Sequence, residues 1–433
     1  MNFKSTTDTK GRVSFSAALL GGLADDGGLY VPCKWPQFSP EDFPLDLSLP
    51  TVAETLIAPF AVDDPLGLHL SDIVRDAFNF PAPLQSVAGQ ALSVLELFHG
   101  PTAAFKDFGA RFLAACFERL IKPSDPPVHI LVATSGDTGG AVAAAFHKRP
   151  NISVSILYPQ GLVSPTQERQ LTCWGDNVRS FSVLGTFDDC QRIVKSAFLD
   201  SAFKKEHGLV SANSINLGRL LPQAVYYAAA SLAQWRTQGE KLNVIIPSGN
   251  LGNAVACIWA RHMGLPIGEV VLAHNTNRSV LDYLQCGEWK PRTSLATLAS
   301  AMDVGNPSNM ERLRFLFPVL GDLRSAVTAF SVNDTEIRNR ICHDYKRYGQ
   351  VWCPHTAVAA EIWARMPPMQ RKDKPWCLIA TASPAKFPEI VEPLIGRAVT
   401  VPIALSALLS RSVQFEVLNP SLSALRNVLA EVN

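Results

Sequence analysis

The sequence predicts an α/β protein with two open, mostly parallel sheets, flanking helices and a smaller N-terminal subdomain. Three observations predict it. At 433 residues the chain exceeds one ordinary core, which points to two or three domains. Three segments repeat one theme of apolar run, tight turn and helical pattern. The apolar runs lack alternation, as strands buried on both faces do.

Taken in order, the chain before about Gln90 is rich in Pro, Gly and Asp and reads as an N-terminal subdomain, 1–90; its Gly21–Tyr30 cluster is turn punctuation. Residues 91–122 carry a helical pattern in which Phe108, Phe112, Leu113, Cys116, Phe117 and Leu120 follow a 3.6-residue period. A smaller domain, 123–239, opens with the first repeat: His129–Thr134 as strand, Ser135–Gly140 as turn, Ala141–His147 as helix. Ser153–Tyr158 adds a strand, and Leu220–Trp235 reads as a buried helix because Pro222, Gln223 and Gln234 interrupt it. The second repeat is Leu242–Pro247, Ser248–Asn253 and Ala254–Met263; Val270–Asn275 adds a strand. The third is Trp376–Thr381, leading into Ala382–Lys386. Residues 240–433 join 91–122 in a larger domain. In open parallel sheets, ligands sit at the carboxyl ends of strands.

Composition narrows the function. Hydrophobic residues make up 47% and charged residues 18%, with a formal net charge of +1. No global field recommends nucleic acid or an anionic membrane as partner. The nine cysteines form no C-x-x-C unit and suit reduced thiols in a cytoplasmic protein. No metal-ligand spacing, secretory signal or continuous apolar span is apparent, so no metal and no membrane are expected.

Lys106 lies just before the Phe108–Leu120 pattern, with Asp107 where a negative charge suits a helix N-terminus. Beside Ala104, Phe105 and Phe108 its amine would be partly desolvated, which lowers its pKa and favours Schiff-base chemistry. A lone lysine at a helix start is otherwise commonly a solvated surface residue. Ser248–Asn253 offers Gly249 and Gly252 for close backbone approach, with Ser248 and Asn250 as side-chain donors, a construction that suits a phosphate. Ser135–Gly140 is built alike and suits a carboxylate, or is a structural turn capped by Asp137 or Thr138.

Together these segments resemble the threonine synthase family of pyridoxal-phosphate enzymes, in the tryptophan-synthase-β-like (fold-type II) group. The resemblance rests on H-G-P-T-A-A-F-K-D-F-G (99–109), T-S-G-D-T-G (134–139), P-S-G-N-L-G-N (247–253), A-M-D-V-G-N-P-S-N (301–309), P-H-T-A-V-A (354–359) and T-A-S-P-A-K-F (381–387), in the family's order. It implies pyridoxal 5'-phosphate held as a Schiff base by Lys106, the catalytic acid and base. It implies Ser248, Gly249, Asn250, Leu251, Gly252 and Asn253 around the cofactor phosphate and Thr381 at the pyridine nitrogen. Ser135, Gly136, Asp137 and Thr138 would hold the substrate carboxylate. Asn213, Ser214, Asn216, Arg219 and Lys386 would serve the substrate phosphate. The larger domain would then bind cofactor and the smaller one face the substrate.

The implied reaction turns O-phospho-L-homoserine and water into L-threonine and phosphate, in a monomer or homodimer. Four positions depart from the family pattern: Leu251 for an aromatic residue, Asn253 and Arg278 for acids, Ser383 for a histidine. Arg278 and Ser383 motivate an alternative, a phospho-lyase releasing 2-oxobutanoate, ammonia and phosphate. A non-catalytic binding protein on the same fold is the third reading. His99 and His355 are expected in hydrogen-bond networks, and Asp303 and Asn306 in shaping a loop.

Overall fold

The computed structural model describes residues 1–8 and 11–430. Strands β1 (Phe3–Ser5) and β2 (Tyr30–Pro32) pair antiparallel near the N-terminus. Then come β3 (Leu84–Ser86), β4 (Leu92–Glu96), β5 (Val128–Ala133), β6 (Ile152–Pro159), β7 (Val178–Val183) and β8 (Leu209–Val210). The remaining strands are β9 (Leu242–Pro247), β10 (Ile267–His274), β11 (Thr328–Ser331), β12 (Trp376–Ala380) and β13 (Glu416–Leu418). They form a six-stranded sheet, β11-β10-β9-β12-β4-β3, and a five-stranded sheet, β13-β7-β6-β5-β8. Every pairing in these two sheets is parallel except β3 with β4.

The apolar runs are strands for the reason their pattern suggests. Every residue of β9 and of β12 is buried, because helices cover both faces of a parallel sheet. The Lys106–Leu120 helix buries Phe108, Phe112, Leu113, Cys116 and Phe117 on one continuous stripe. That stripe packs against the Leu70–Ala77 and Asp137–Phe146 helices. The helix therefore bridges the N-terminal region and the five-stranded sheet's own layer.

The sheets divide the chain elsewhere than at the expected boundaries. Strand β3 pairs with β4, so the six-stranded sheet begins before residue 90. The Ala224–Gln238 helix lies inside the expected 123–239 domain, yet it packs against the Gly252–His262 helix and β9. Residues 416–418 were expected with the larger domain; instead β13 pairs with β7 in the other sheet. The physical reason is apolar cover: the Leu422–Ala430 helix buries Leu425 and Leu429 against Ile193, Val194 and Ala197 of the smaller sheet's helix.

Gly109 marks a tight crossing near the site, since a Cβ there would collide with the Arg219 carbonyl group. Gly109→Ala should therefore destabilise by about 1–3 kcal/mol, against the usual helix-propensity gain from alanine. Chemical denaturation of the variant and the parent measures this.

Candidate active site

Lys106 is placed by the turn before its helix. Ala103 takes a left-handed backbone at φ 54° and donates its N–H to the Gly100 carbonyl at 3.0 Å. Asp107 accepts from the Thr102 N–H at 2.9 Å and the Thr102 hydroxyl at 2.6 Å, which locks the turn. The Phe105 N–H donates to the Thr381 carbonyl at 2.9 Å, and the Ser383 N–H to the Ala103 carbonyl at 3.0 Å. The lysine helix is thereby stitched to the carboxyl end of β12.

A cleft of about 980 Å³, its open mouth included, lies where the ends of β5, β9 and β12 converge. Lys106 and Thr381 line it, as do all of Ser248–Asn253, with Ser135, Asp137, Thr138, Asn213, Ser214 and Arg219. These residues, singled out from sequence, are brought together. Gly136, Asn216 and Lys386 do not line the cleft.

The Ser248–Asn253 loop is pinned from several sides. The Asn250 amide donates to Ser214 Oγ at 2.6 Å, while its carbonyl accepts the Ser308 N–H at 2.6 Å. His274 Nδ1 lies 2.9 Å from the Ser248 carbonyl oxygen. Leu251 stands in the left-handed region at φ 63°, and the Gly252–His262 helix starts beside it, so first-turn N–H groups face the cleft. Asn253 accepts from the hydroxyls of Tyr226 at 2.6 Å and Tyr227 at 2.9 Å. Its own Nδ2 has no partner, nor do Arg219 Nε and Asn213 Oδ1, all buried.

Charge is concentrated around Lys106. Its ammonium lies 3.7 Å from Asp137 Oδ2. The second oxygen of Asp137 receives Lys386 Nζ at 2.6 Å and Gln167 Nε2 at 3.0 Å. Burial pulls the Lys106 pKa below its ordinary value; Asp137 works the other way, and Lys386 and Arg219 lower it further. Burial also opposes the charge on Asp137, but Lys386, Lys106 and His355 outweigh it and hold the carboxyl below the usual range. Arg219 falls to about 10 through burial, with Asp107 working against the shift.

Two phosphate candidates are reassigned by their contacts. Asn216 is fully buried; its amide donates to the Leu19 carbonyl at 2.8 Å and the Ser211 carbonyl at 3.0 Å. Its carbonyl caps the next turn by accepting the Gly218 N–H at 2.9 Å. Lys386 is fully buried, its ammonium on Asp137 and the Thr102 carbonyl, and does not itself line the cleft. Gly136 has φ 137°, and its missing Cβ leaves room for the Gln167 side chain. The turn is tied by Thr134 rather than Asp137 or Thr138: its hydroxyl accepts the N–H groups of Gly136 at 3.0 Å and Gly139 at 2.9 Å.

Sequence reasoning missed Phe105, Phe187, Gln191, Gln223 and Met302 as lining residues. Phe105 and Met302 sat inside matched motifs and could have been found. Phe187 and Gln191 lie on an ordinary capped helix with no signal of their own. His355 also lines the cleft, and it accepts the Ala301 N–H at 3.1 Å, the network role expected of it. Burial lowers its pKa to about 4, Asp137 opposing, which suits a neutral acceptor. His99 pairs with Glu96 at 2.8 Å, outside the cleft. Asp303 shapes a loop by accepting from Asn275 at 2.7 Å and Thr297 N–H at 2.9 Å. Arg278 pairs with Asp282 at 3.2 Å, and Ser383 accepts the Ala385 N–H at 3.3 Å; neither lines the cleft. Among the described residues no helix is long and apolar enough to cross a membrane, and no group of three His, Cys, Asp or Glu could hold a metal. All nine cysteines are free.

A lysine, a glycine-opened loop at a helix start and a hydroxyl at the next strand end, in one cleft between two mostly parallel sheets, define a class. The family model described as pyridoxal-phosphate dependent enzyme matches residues 80–382, and the chain is of that class. Models for the threonine synthase N terminus and C-terminal regions match residues 2–78 and 356–429. The threonine synthase of Escherichia coli is 38% identical over 405 residues, 93% of each chain. Its crystal structure superposes with a TM-score of 0.91 at 37% identity, covering 100% of both chains. The Brucella melitensis threonine synthase, solved with pyridoxal phosphate bound, gives 0.90 at 33% identity, covering 100% of this chain and 99% of that one. The chain belongs to the threonine synthase family.

Because Asn216 bonds inward, Asn216→Ala should cost about 1–2 kcal/mol of stability, the worth of a lost helix cap. Denaturation measures that cost, and cofactor affinity of the folded variant should stay within about twofold, a change under 0.5 kcal/mol.

Proposed function

We propose that the protein converts O-phospho-L-homoserine and water to L-threonine and phosphate, with pyridoxal phosphate held by Lys106. One observation carries this reading: Lys106, Thr381 and the Ser248–Asn253 loop meet in one cleft beside unpartnered buried polar atoms. Those residues fit the cofactor. An unpartnered Asn253 Nδ2 and first-turn N–H groups suit its phosphate, a partly buried amine suits its aldehyde, and the Thr381 hydroxyl suits its ring nitrogen. When bound, pyridoxal phosphate supplies stabilisation of negative charge developing at the substrate's carbons.

The chain's own residues do the rest. Ser248, Gly249, Asn250, Leu251, Gly252 and Asn253 bind and orient the cofactor phosphate; a neutral Thr381 leaves the ring nitrogen less protonated than a carboxylate would. Ser135 and Thr138 receive the substrate carboxylate, a task that the anionic Asp137 does not share. Arg219, with Asn213 and Ser214, receives the substrate phosphate; its unpartnered Nε and lasting positive charge suit a dianion. Lys106 removes protons from Cα and Cβ and returns one to Cγ, from which phosphate departs as its C–O bond breaks. Water then adds at Cβ and the proton returns to Cα.

Arg278 and Ser383 line no part of the cleft, so the ground for early release of the intermediate weakens. The reading extends to a cytoplasmic enzyme acting on a free small molecule, as monomer or homodimer.

Incubation with O-phosphohomoserine should yield threonine and phosphate in equal amounts. Predominant 2-oxobutanoate would overturn the synthase reading in favour of the phospho-lyase. The purified protein should be yellow. Lys106→Ala should lose that absorbance and at least about 10²–10⁴-fold in kcat, the range for a lost acid–base group. A protein that stays colourless after addition of pyridoxal phosphate would point to a non-catalytic role instead.

A further inference from the structure

Lys386 lies outside the cleft, yet it acts on the cleft through a single carboxylate. Its side chain is fully buried, and its ammonium has two described partners: Asp137 Oδ1 at 2.6 Å and the Thr102 carbonyl at 2.9 Å. Its own carbonyl accepts the Ser164 hydroxyl at 3.1 Å, so the backbone that carries it is fixed too. The other oxygen of Asp137 faces Lys106 Nζ at 3.7 Å. One buried carboxylate thus stands between a buried lysine and a partly buried one, closer to the buried Lys386.

A buried carboxylate requires a counter-ion. If Lys106 were the sole cation beside Asp137, the pair would hold it as an ammonium. An ammonium has no lone pair with which to attack an aldehyde or accept a proton. The other groups facing Lys106 are Arg219, a cation, and His355, a neutral acceptor. Neither supplies Asp137 with a direct partner.

We propose that Lys386 is a positioning residue: it neutralises and anchors Asp137, so that Lys106 is aimed by that carboxylate yet free to work as a neutral amine. This rests on the reading that Lys106 holds the cofactor.

The test follows the rate at which apoenzyme binds added pyridoxal phosphate covalently, read as visible absorbance across a pH series. The amine must be neutral to condense with the aldehyde and release water, so the midpoint of the rate profile reports its protonation. Lys386→Met removes charge and hydrogen bonds; Lys386→Gln removes charge but can still donate to Thr102 and Asp137. In both, the midpoint should move to higher pH by about one unit, slowing binding about tenfold at pH 7. Lys386→Arg should restore the parent's midpoint. Asp137→Asn should move it to lower pH, because the cations then act on Lys106 unopposed.

An unmoved midpoint in whichever of Lys386→Met and Lys386→Gln folds overturns the proposal, as does failure of the arginine variant to restore it. Reduced thermal stability without a midpoint change would mark Lys386 as merely structural, and likewise overturns it. The underlying reading fails separately: Lys106→Ala would then acquire the same absorbance as the parent.

Discussion

Two backbone hydrogen bonds hold the site together, those joining Ala103 and Phe105 to Ser383 and Thr381. They form a small antiparallel bridge, Ala104 with Ala382, where the lysine loop meets the end of β12. From that bridge the Lys106 helix departs on one side. The turn carrying Lys386 departs on the other, and Thr381 projects between them. Ala103, Ala104 and Ala382 are small and buried there, which lets the two backbones approach. Three side chains with proposed roles, from two distant parts of the sequence, thus owe their relative positions to one contact.

Around this bridge buried charges of both signs meet, Asp107 and Asp137 with Arg219 and Lys386. Arg219 and Lys386 are enclosed, and Arg312 is fully buried with no carboxylate against it. Arg312 donates to the Ile215 carbonyl at 2.7 Å, to Asn309 at 2.7 Å and to the Tyr30 carbonyl at 3.1 Å. Burial lowers its pKa to about 9, Glu311 acting against the shift. Carbonyl dipoles, rather than an opposing charge, hold this cation, and in doing so they tie β2 to the 213–216 loop that faces the cleft. The cleft itself is lined by Lys106 and Arg219, which suits it to anions, and the proposed substrate and cofactor both carry phosphate.

Much of this was legible in the sequence. Leu242–Pro247 and Trp376–Thr381 read as buried strands because a strand covered on both faces has no polar alternation to preserve. Gly249 and Gly252 read as an anion turn because close backbone approach excludes side chains. What stayed hidden depended on direction. The sequence showed that Lys386 and Asn216 were near the chemistry, but not that both point into the protein. An ammonium bonded to a carboxylate and one awaiting a phosphate are written with the same letter. Likewise β13 is only three residues long, and a strand so short owes its place to Leu425 and Leu429 packing beyond it rather than to its own pattern.

That last strand has a consequence for how the protein is made. The backbone passes from the six-stranded sheet to the five-stranded one, returns, and crosses again to deliver Glu416–Leu418 beside Val178–Val183. On the ribosome, β7 emerges well over two hundred residues before its neighbour exists. Throughout that interval its edge presents unpaired N–H and carbonyl groups, the kind of surface that invites wrong partners. The smaller sheet is therefore among the last parts to be completed, although most of its strands are synthesised early.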